Sequence, residues 1–529
     1  MAKGPDVLLV NPSTNEEVYG SLAKDGAARE PPFLAALTAG YIRKKGYSVD
    51  LLDANVENLT QSRTAELVRD TNPGLVAIIA HGHQPSASSQ LMGAVGKLCT
   101  EIKQTSGVPI FLSGIHPSSL PERTLREEDC DYVARGEMQQ TLLGLAEGRT
   151  NLSKVPGLCY MDAGGTFVAN KAAPLIKDLD NEFSDVAWDL IPPFQKYRTH
   201  NWHAFEDIDT RSPFGALYTS LGCPYKCTFC CINAEFKASI AENQTEEVEA
   251  RTEMERLAIL DQTSPTIRMW SPDWTVKQIE YMVESGVRHI KIIDEMFYLN
   301  RKHVEGIADR IIEKGLGDKL NFWAYARVDT VTDPSLLDKL KKAGFNWLCL
   351  GIESANPEVR HGADKRFTNE KILERIRQID NAGINVLGNY MVGLRTDTKE
   401  SMQQTYAMAK ELMTPWFNVY ATMAYPGAPD YMWAKSKGIP LPGDEGIPGG
   451  WTAYSHHSWF TLPLSTDKLS AADVLRFRDE FYHGYIEDSS YHTLLKKKFG
   501  EVPGQKIINN LVKKKRIARR ILGDPKSEK

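Results

Sequence analysis

The sequence predicts an α/β protein made of two units with parallel β-sheets, followed by a helical C-terminal region. Short apolar segments alternate with helical stretches twice along the chain, a pattern typical of parallel sheets. The length of 529 residues also exceeds what one hydrophobic core fills, about 250–300 residues. Hydrophobic residues make up 42% and charged residues 25% of the chain, as in ordinary globular proteins. The composition therefore excludes disorder as the main state.

The first unit is predicted to be a doubly wound parallel sheet over residues 1–150. Its strand candidates are short apolar segments that end in polar or glycine-containing turns. They are Val7–Val10, Gly46–Asp53, Leu75–Ile79, Pro109–Leu112 and Asp131–Ala134. Ligands of such sheets bind beyond the carboxyl ends of the strands, at the switch point of the strand order. We therefore expect a binding site in the loops after the first, third, fourth and fifth strands.

The second unit is predicted to be a full or partial (β/α) barrel over residues 211–430. Residues 151–210 interrupt the alternation and predict a linker with a small hairpin at Cys159–Val168. The barrel strand candidates are Ala216–Thr219, His289–Ile293, Asn321–Tyr325, Trp347–Leu350, Asn385–Met391 and Phe417–Thr422. Active sites of such barrels lie at the C-terminal ends of the strands. Residues 431–529 have no strand pattern and predict a helical C-terminal region.

A cysteine motif stands directly after the first barrel strand. Cys223, Cys227 and Cys230 have the spacing Cys-x3-Cys-x2-Cys, and Cys231 follows them. Three thiolates on one tight loop can hold three irons of a cubane cluster and leave the fourth iron open. A structural zinc site would need a fourth ligand, either Cys231 or a distant histidine. Cys231 is interpreted either as a buried small hydrophobic residue or as a spare thiol at the cluster edge.

This motif resembles the signature of the radical S-adenosylmethionine (SAM) superfamily, which has an aromatic residue before the last cysteine, here Phe229. The resemblance implies a [4Fe–4S] cluster whose open iron binds SAM, and the cleavage of SAM to a 5′-deoxyadenosyl radical. It also implies SAM contacts at the barrel strand ends. The candidates are Asp294 and Glu295 in place of a Gly-Gly-Glu-like element, Arg327 for the SAM carboxylate, and Glu353 and Ser354 in a Gly-x-Glu-Ser motif. The alternative for each is a salt bridge at the barrel mouth.

A doubly wound domain before such a barrel resembles the cobalamin-binding subgroup of this superfamily, which includes the class B methyltransferases. The similarity lies in Asn11-Pro12, Pro31-Pro32, Gly114-Ile-His116-Pro117 and Arg135-Gly136-Glu137. It implies a Rossmann-like cobalamin domain with contacts in the strand-end loops. The candidate residues are Asn11, His81, His83, Gln84, Ser86, Gly114, His116, Gly136 and Glu137.

The loop after the third strand contains the candidates for the lower face of the corrin. The Asp-x-His-x-x-Gly motif of methionine-synthase-type domains is absent, but His81, His83 and Gln84 follow the third strand at the expected position. Our hypothesis is that one of these three lies beneath the cobalt, as a ligand or as a cap that excludes water. The alternative is a loop histidine bonded to the backbone. Ser86 either caps the next helix or contacts the corrin amides.

The resemblance implies a cobalamin-dependent radical SAM enzyme that transfers a methyl group from methylcobalamin to an unactivated carbon, or less readily to phosphorus, through the 5′-deoxyadenosyl radical. One alternative keeps both cofactors without methyl transfer, as in anaerobic magnesium-protoporphyrin cyclase. The other is an iron–sulfur electron carrier without enzymatic activity. The expected substrate is a small molecule or a lipid- or sugar-linked one. Reduction calls for an external donor of flavodoxin or ferredoxin type.

The formal charge of −5 conceals a basic tail. Residues 496–529 contain 12 Lys and Arg residues against three acidic ones. The interleaved apolar residues predict a surface helix packed on the barrel or, alternatively, a helix that contacts an anionic membrane. Aromatic residues are scarce in the tail, which argues against nucleic-acid binding. The start of the sequence has no apolar signal core, and no run approaches the ~18–20 apolar residues of a membrane span. With its clustered thiols, the chain is predicted to be cytoplasmic.

The aromatic residues outside the two units have no assigned role. Trp202 and His203 in the linker, and Trp451, His456 and Trp459 in the C-terminal region, could line the substrate space or pack between domains.

Overall fold

The structure is a computed structural model. It describes residues 4–20, 23, 27–82, 84–148, 151–205, 210–236, 252, 254–255, 257–258, 266–513 and 516–526. The strands are β1 Val7–Asn11, β2 Val49–Asp53, β3 Leu75–Ile79, β4 Ile110–Ser113, β5 Tyr132–Ala134, β6 Leu158–Met161, β7 Phe167–Ala169, β8 Phe214–Leu217, β9 Ser220–Leu221, β10 Arg268–Met269, β11 His289–Ile292, β12 Asn321–Arg327, β13 Phe345–Glu353, β14 Asn385–Val392 and β15 Trp416–Ala421.

The helices are α1 Asn15–Tyr19, α2 Phe33–Lys44, α3 Gln61–Thr71, α4 Met92–Thr105, α5 Ile115–Ser119, α6 Pro121–Glu127, α7 Gln139–Ala146, α8 Leu179–Glu182, α9 Asn233–Phe236, α10 Pro272–Glu284, α11 Arg301–Glu313, α12 Pro334–Lys342, α13 Pro357–Gly362, α14 Asn369–Asn381, α15 Lys399–Leu412, α16 Pro429–Ser436, α17 Ala471–Ile486, α18 Ser489–Phe499 and α19 Glu501–Val512.

The front unit is a sheet in the order β2-β1-β3-β4-β5-β6-β7. Strands β1 to β5 are parallel, and β6 and β7 extend the sheet in antiparallel orientation. Alternate residues of β1 pack on opposite faces: Val7 and Leu9 join the core with α2, while Leu8 and Val10 join the core with α4. Burial on both faces explains the continuous apolar strands of a doubly wound sheet. The predicted hairpin exists, and the structure joins it to this sheet through β5.

The second unit is a sheet of six parallel strands in the order β15-β14-β13-β12-β11-β8. The strands follow one another in sequence order, with helices between them, so the sheet curves as a partial (β/α) barrel. The predicted α/β fold class is thereby confirmed. The two-residue strands β9 and β10 pair outside this sheet and brace the chain that leaves β8.

Aromatic residues of the linker fill the N-terminal end of the barrel. The Trp202 ring lies 5.1 Å from that of Trp323 in β12 and 5.2 Å from that of Trp347 in β13, measured between ring centroids. Phe205 stands 5.5 Å from Trp416 in β15. The linker thus closes the end of the barrel opposite the strand ends that carry the cysteine loop. Trp202 packs here rather than lining a substrate space.

The basic tail turns its apolar side inward. In α19, Ile507, Ile508 and Leu511 are buried in the main core, while Val512 is 51% exposed. Farther along, the buried guanidinium of Arg519 donates to the carbonyl oxygens of His456 and Ser458. Among the described residues, none of the helices combines the length and the apolar character that crossing a bilayer requires.

Candidate functional site

A buried carboxylate, that of Asp294, holds the chain segment that leads into the cysteine loop. Asp294, just after β11, accepts hydrogen bonds from the backbone N–H of Thr219 at 2.6 Å, from the Thr219 hydroxyl at 2.6 Å and from the Ser220 hydroxyl at 2.5 Å. Burial raises the pKa of Asp294 to about 6, although these bonds oppose the rise. All the observed bonds of Asp294 therefore fix the chain that leads into the loop. Its predicted contact with SAM stays a prediction.

The three motif cysteines are free thiols on this loop. Burial raises the pKa of each, for Cys223 to about 12, and the cations Lys365 and Arg327 act in the opposite direction on Cys227. Among the described residues, no group of three or more His, Cys, Asp or Glu side chains could hold a single metal ion. An iron–sulfur cluster instead takes one thiolate on each of several irons, and three thiols on one tight loop match that donor set.

The guanidinium of Arg327 lies beside the cysteine loop. Its Nη1 lies 3.6 Å from the Cys227 sulfur, and its guanidinium stacks 3.7 Å from the centre of the Tyr225 ring. Asp329 accepts from both its Nε and its Nη2 at 3.0 Å. The sequence reasoning did not find Asp329, whose only signal was its position two residues after Arg327. This pair fixes the guanidinium beside the sulfur, and a role of Arg327 toward SAM stays a prediction.

At the end of β13, Glu353 has a left-handed backbone, with φ of +64°, and forms a buried ion pair with Lys365. The adjacent Ser354 faces another way: its hydroxyl lies 3.2 Å from that of Thr405 and accepts from the Asn356 N–H at 3.2 Å. Lys365 was missed because it comes from a loop 12 residues farther along. Glu353 is thus held at the barrel mouth, whereas the bonds of Ser354 are structural.

Glu295 is partly buried beside the first barrel strand. Its Oε1 accepts from the Tyr218 hydroxyl at 3.5 Å. Burial raises the pKa of Glu295 to about 8, and the nearby Lys291 opposes the rise. This carboxyl group is therefore mostly protonated near neutral pH unless a cation binds beside it.

A cavity that is partly open to solvent lies between the two units. The front unit contributes the loops after β1 and β3 and the segment before α2, and the barrel contributes the ends of β8 and β11. Its lining includes Asn11, Pro12, Glu30, Pro31, Pro32, Asn55, His81, Gly82, Tyr218 and Ile293. The cavity thus lies beyond the strand ends that the sequence predicted to bind a ligand.

Two of the predicted corrin contacts line this cavity. Asn11 donates from Nδ2 to Asp53 at 2.7 Å, and the other oxygen of Asp53 accepts from the Tyr197 hydroxyl at 2.9 Å. His81 is nine-tenths buried, and its Nε2 has no hydrogen-bond partner among the described residues. The carboxylate oxygen Oε2 of Glu235 lies 3.5 Å from this nitrogen. The cavity, whose lining includes polar side chains of the front unit and Tyr218 of the barrel, fits a bound polar cofactor.

Gln84 reaches the barrel instead. Its Nε2 donates to the hydroxyls of Tyr325 and Tyr420, each at 3.2 Å. These bonds connect the loop after β3 to the inner strands of the barrel. His83 and the side chain of Ser86 lie outside the described residues.

The remaining predicted corrin residues stabilise the strand-end loops and do not line the cavity. Gly114 has φ of +131°, and a Cβ there would come within 2.3 Å of the Ala80 carbonyl oxygen. His116 is buried against Ser89 at 3.0 Å, and burial lowers its pKa to about 3. Gly136 donates its N–H to the Ser118 hydroxyl at 3.2 Å, and Glu137 pairs with Arg268.

Buried polar contacts hold the two units together across the cavity. Lys291 in β11 lies 3.0 and 2.9 Å from the two carboxylate oxygens of Glu30, and both side chains are buried. The Ser119 hydroxyl of the front unit donates to the Pro426 carbonyl oxygen at 3.2 Å. The Pro426–Gly427 turn therefore takes part in the contact between the two units.

Comparison with known proteins gave matches to both units. The Radical SAM superfamily model matches residues 217–409 and the B12 binding domain model matches residues 27–146. The chain is 28% identical over 429 residues to an uncharacterised methyltransferase of Pyrococcus horikoshii, covering 80% of this chain and 81% of that protein. It is 26% identical over 431 residues to the anaerobic magnesium-protoporphyrin IX monomethyl ester cyclase of Cereibacter sphaeroides, covering 78% and 62%.

Solved structures share the fold. The radical SAM methyltransferase TsrM from Kitasatospora setae, solved with cobalamin and a [4Fe–4S] cluster, aligns with a TM-score of 0.62 at 18% identity, over 91% of this chain and 87% of that chain. The cobalamin-dependent radical enzyme OxsB, solved with aqua-cobalamin and SAM, gives 0.63 at 15% identity, over 96% and 70%.

Proposed function

Because this chain belongs to the radical SAM enzymes that carry a B12-binding domain, we propose that it is a methyltransferase that acts on an unactivated carbon. Its cofactors are a [4Fe–4S] cluster, SAM and cobalamin. One observation carries the proposal. Residues of both units line the same cavity. His81 and Asn11 come from the B12-binding domain, and Tyr218 and Ile293 directly follow the barrel strands β8 and β11.

When bound, the cluster and SAM supply a 5′-deoxyadenosyl radical, and cobalamin supplies the methyl group. The chain contributes binding, orientation and charge. In this proposal Cys223, Cys227 and Cys230 hold three irons. Glu353 and Arg327 stand at the barrel mouth as groups of opposite charge suited to the amino and carboxylate groups of SAM.

The second candidate is an oxidative or cyclising reaction that uses both cofactors without methyl transfer. It is favoured by the similarity to the magnesium-protoporphyrin cyclase, which extends over 431 residues and both units. The cavity suits either outcome, because in both a substrate must lie within reach of the radical and the corrin.

A labelling experiment separates the two candidates. The full chain, reconstituted anaerobically with iron, sulfide and hydroxocobalamin, is incubated with methyl-deuterated SAM, a reductant and a small-molecule extract of the expression host. A product that carries the trideuteromethyl group supports methyl transfer. Deoxyadenosine together with a changed but unlabelled product supports the second candidate and contradicts the first. Cys227→Ala is the control and should form neither product.

We further propose a small molecule, free or linked to a lipid or sugar, as the substrate and a flavodoxin or ferredoxin as the electron donor. The eight free cysteines favour a reducing, cytoplasmic location. Membrane contact by the tail would have to be electrostatic, since Ile507, Ile508 and Leu511 are buried against the protein. Flotation with anionic liposomes, with and without residues 500–529, tests this contact.

A further inference from the structure

A histidine of the B12-binding domain faces a carboxylate of the barrel unit. His81 Nε2 lies 3.5 Å from Glu235 Oε2, and the side chains are only 9% and 3% exposed. Within the described part of the chain, neither atom has a hydrogen-bond partner. Each of these buried polar atoms costs folding free energy as long as it has no hydrogen-bond partner. A small rotation of the imidazole ring would bring the two atoms into a hydrogen bond with each other.

The two side chains come from the elements that flank the two cofactors. His81 follows β3 and lines the cavity. Glu235 stands in α9, the short helix that begins three residues after Cys230. The flanking Ala234 and Phe236 are buried, and the Ala234 N–H donates to the Cys231 carbonyl oxygen at 2.9 Å. The carboxylate therefore has a fixed position relative to the cysteine loop.

Nearby carboxylates have cationic partners of their own. Glu137 pairs with Arg268, and Glu30 pairs with Lys291. Among the described residues, His81 is the basic side chain that comes within ion-pair distance of Glu235.

The chemistry of the pair determines which ring nitrogen of His81 carries the hydrogen. A carboxylate only accepts hydrogen bonds, so a bond to Glu235 places the imidazole hydrogen on Nε2. The lone pair of the neutral ring is then on Nδ1. Histidines that bind metals regularly donate their other ring N–H to a carboxylate, which fixes the tautomer and strengthens the ligand.

We propose that Glu235 is a positioning residue that makes His81 the nitrogen ligand on the lower face of the corrin. The proposal rests on the cobalamin assignment of the proposed function. It adds that the helix after the cluster cysteines holds the group that meets the cobalt, so the two cofactor sites share one structural connection.

Electron paramagnetic resonance of the cob(II)alamin state tests the proposal. The full chain is loaded anaerobically with hydroxocobalamin, reduced by one electron, and compared with and without ¹⁵N-labelled histidine. We expect a change in nitrogen hyperfine splitting in the wild type and its loss in His81→Ala. Glu235→Gln keeps an acceptor without the charge and should weaken the signal. Glu235→Leu should abolish it and lower cobalamin affinity by roughly 10-fold or more.

The possible outcomes distinguish failure of the cobalamin assignment from failure of the proposal about Glu235 and His81. A wild type that retains no corrin after desalting contradicts the cobalamin assignment itself. A wild type that binds cobalamin but shows no effect of ¹⁵N-histidine, or a Glu235→Leu variant with an unchanged signal, overturns this inference and leaves the proposed function standing. Glu127→Gln, a carboxylate change at the edge of the front unit, is the matched control and should leave the spectrum unchanged. Circular dichroism and iron content confirm that each variant folds.

Discussion

At the scale of single residues, the guanidinium of Arg327 sets the electrostatic environment of Cys227. It lies 3.6 Å from the sulfur and is nearly buried, so its charge is poorly screened. A cation beside the cluster favours the more negative, reduced state. Arg327→Ala should therefore lower the reduction potential of the assembled cluster, which a redox titration followed by electron paramagnetic resonance measures. Arg310→Ala, at a partly exposed arginine paired with Asp273, is the control. An unchanged potential would contradict this assignment.

The adjacent cysteines Cys230 and Cys231 are predicted to have different roles. Cys231 is 1% exposed, and a Cβ added at the Pro426–Gly427 turn would come within 3.4 Å of its Cβ, so it packs against that turn. Cys231→Ala should retain the full iron content after anaerobic reconstitution, whereas Cys230→Ala should lose the cluster. Iron and sulfide analysis with the visible absorption of the cluster provides the test. Loss of iron in Cys231→Ala would instead make it a ligand.

Glu295 should make stability fall as pH rises. Its pKa is about 8 in the folded chain, against 4.5 for an unperturbed glutamate, so the folded state holds a proton that the unfolded state has released. Its favourable contribution is complete below pH 4.5 and is lost as pH rises to about 8. In urea unfolding of the chain before cofactor loading, Glu295→Gln should reduce the decline between these limits. A decline equal to that of the wild type would show that other groups cause it.

At the scale of elements, the aromatic linker stabilises the barrel from below. Trp202 is buried between Trp323 and Trp347, and truncation of a buried tryptophan costs about 3–5 kcal/mol. Trp202→Ala should therefore lower the free energy of unfolding by that amount in urea titrations. Tyr281→Ala, at a 41% exposed aromatic residue, should change it by less than about 1 kcal/mol. Equal losses in the two variants would show that the linker does not support the barrel.

Strand positions were the most predictable elements, because their apolar runs are local in sequence. β3 lies at Leu75–Ile79, as predicted, while β13 extends beyond its predicted ends to Phe345–Glu353. The attachment of the Cys159–Val168 hairpin to the front sheet was not predicted, since pairing with β5 depends on tertiary contacts. In the candidate site, too, features that are local in sequence were predictable and features that depend on tertiary contacts were not. The cysteine motif is local, whereas Lys365 beside Glu353 and Glu235 beside His81 are brought there by folding.

At the scale of the whole molecule, the ion pair of Glu30 and Lys291 joins the two units. Both side chains are buried, so removing one partner leaves an uncompensated charge that costs about 3–5 kcal/mol. Glu30→Leu and Lys291→Met should each destabilise the chain by that order. The double variant should be nearly as stable as the wild type. Urea unfolding of the four proteins forms a double-mutant cycle, and strictly additive losses would contradict an interaction between the units.

The linker residues that fill the base of the barrel also shape the order of events in a catalytic cycle. Trp202 and Phe205 occupy the end away from the cysteine loop, and the cavity lies at the seam between the two units. Spent SAM and product that leave through this seam use the passage by which the next SAM and substrate would arrive. Where release and binding share this passage, product must leave before the next SAM and substrate can bind.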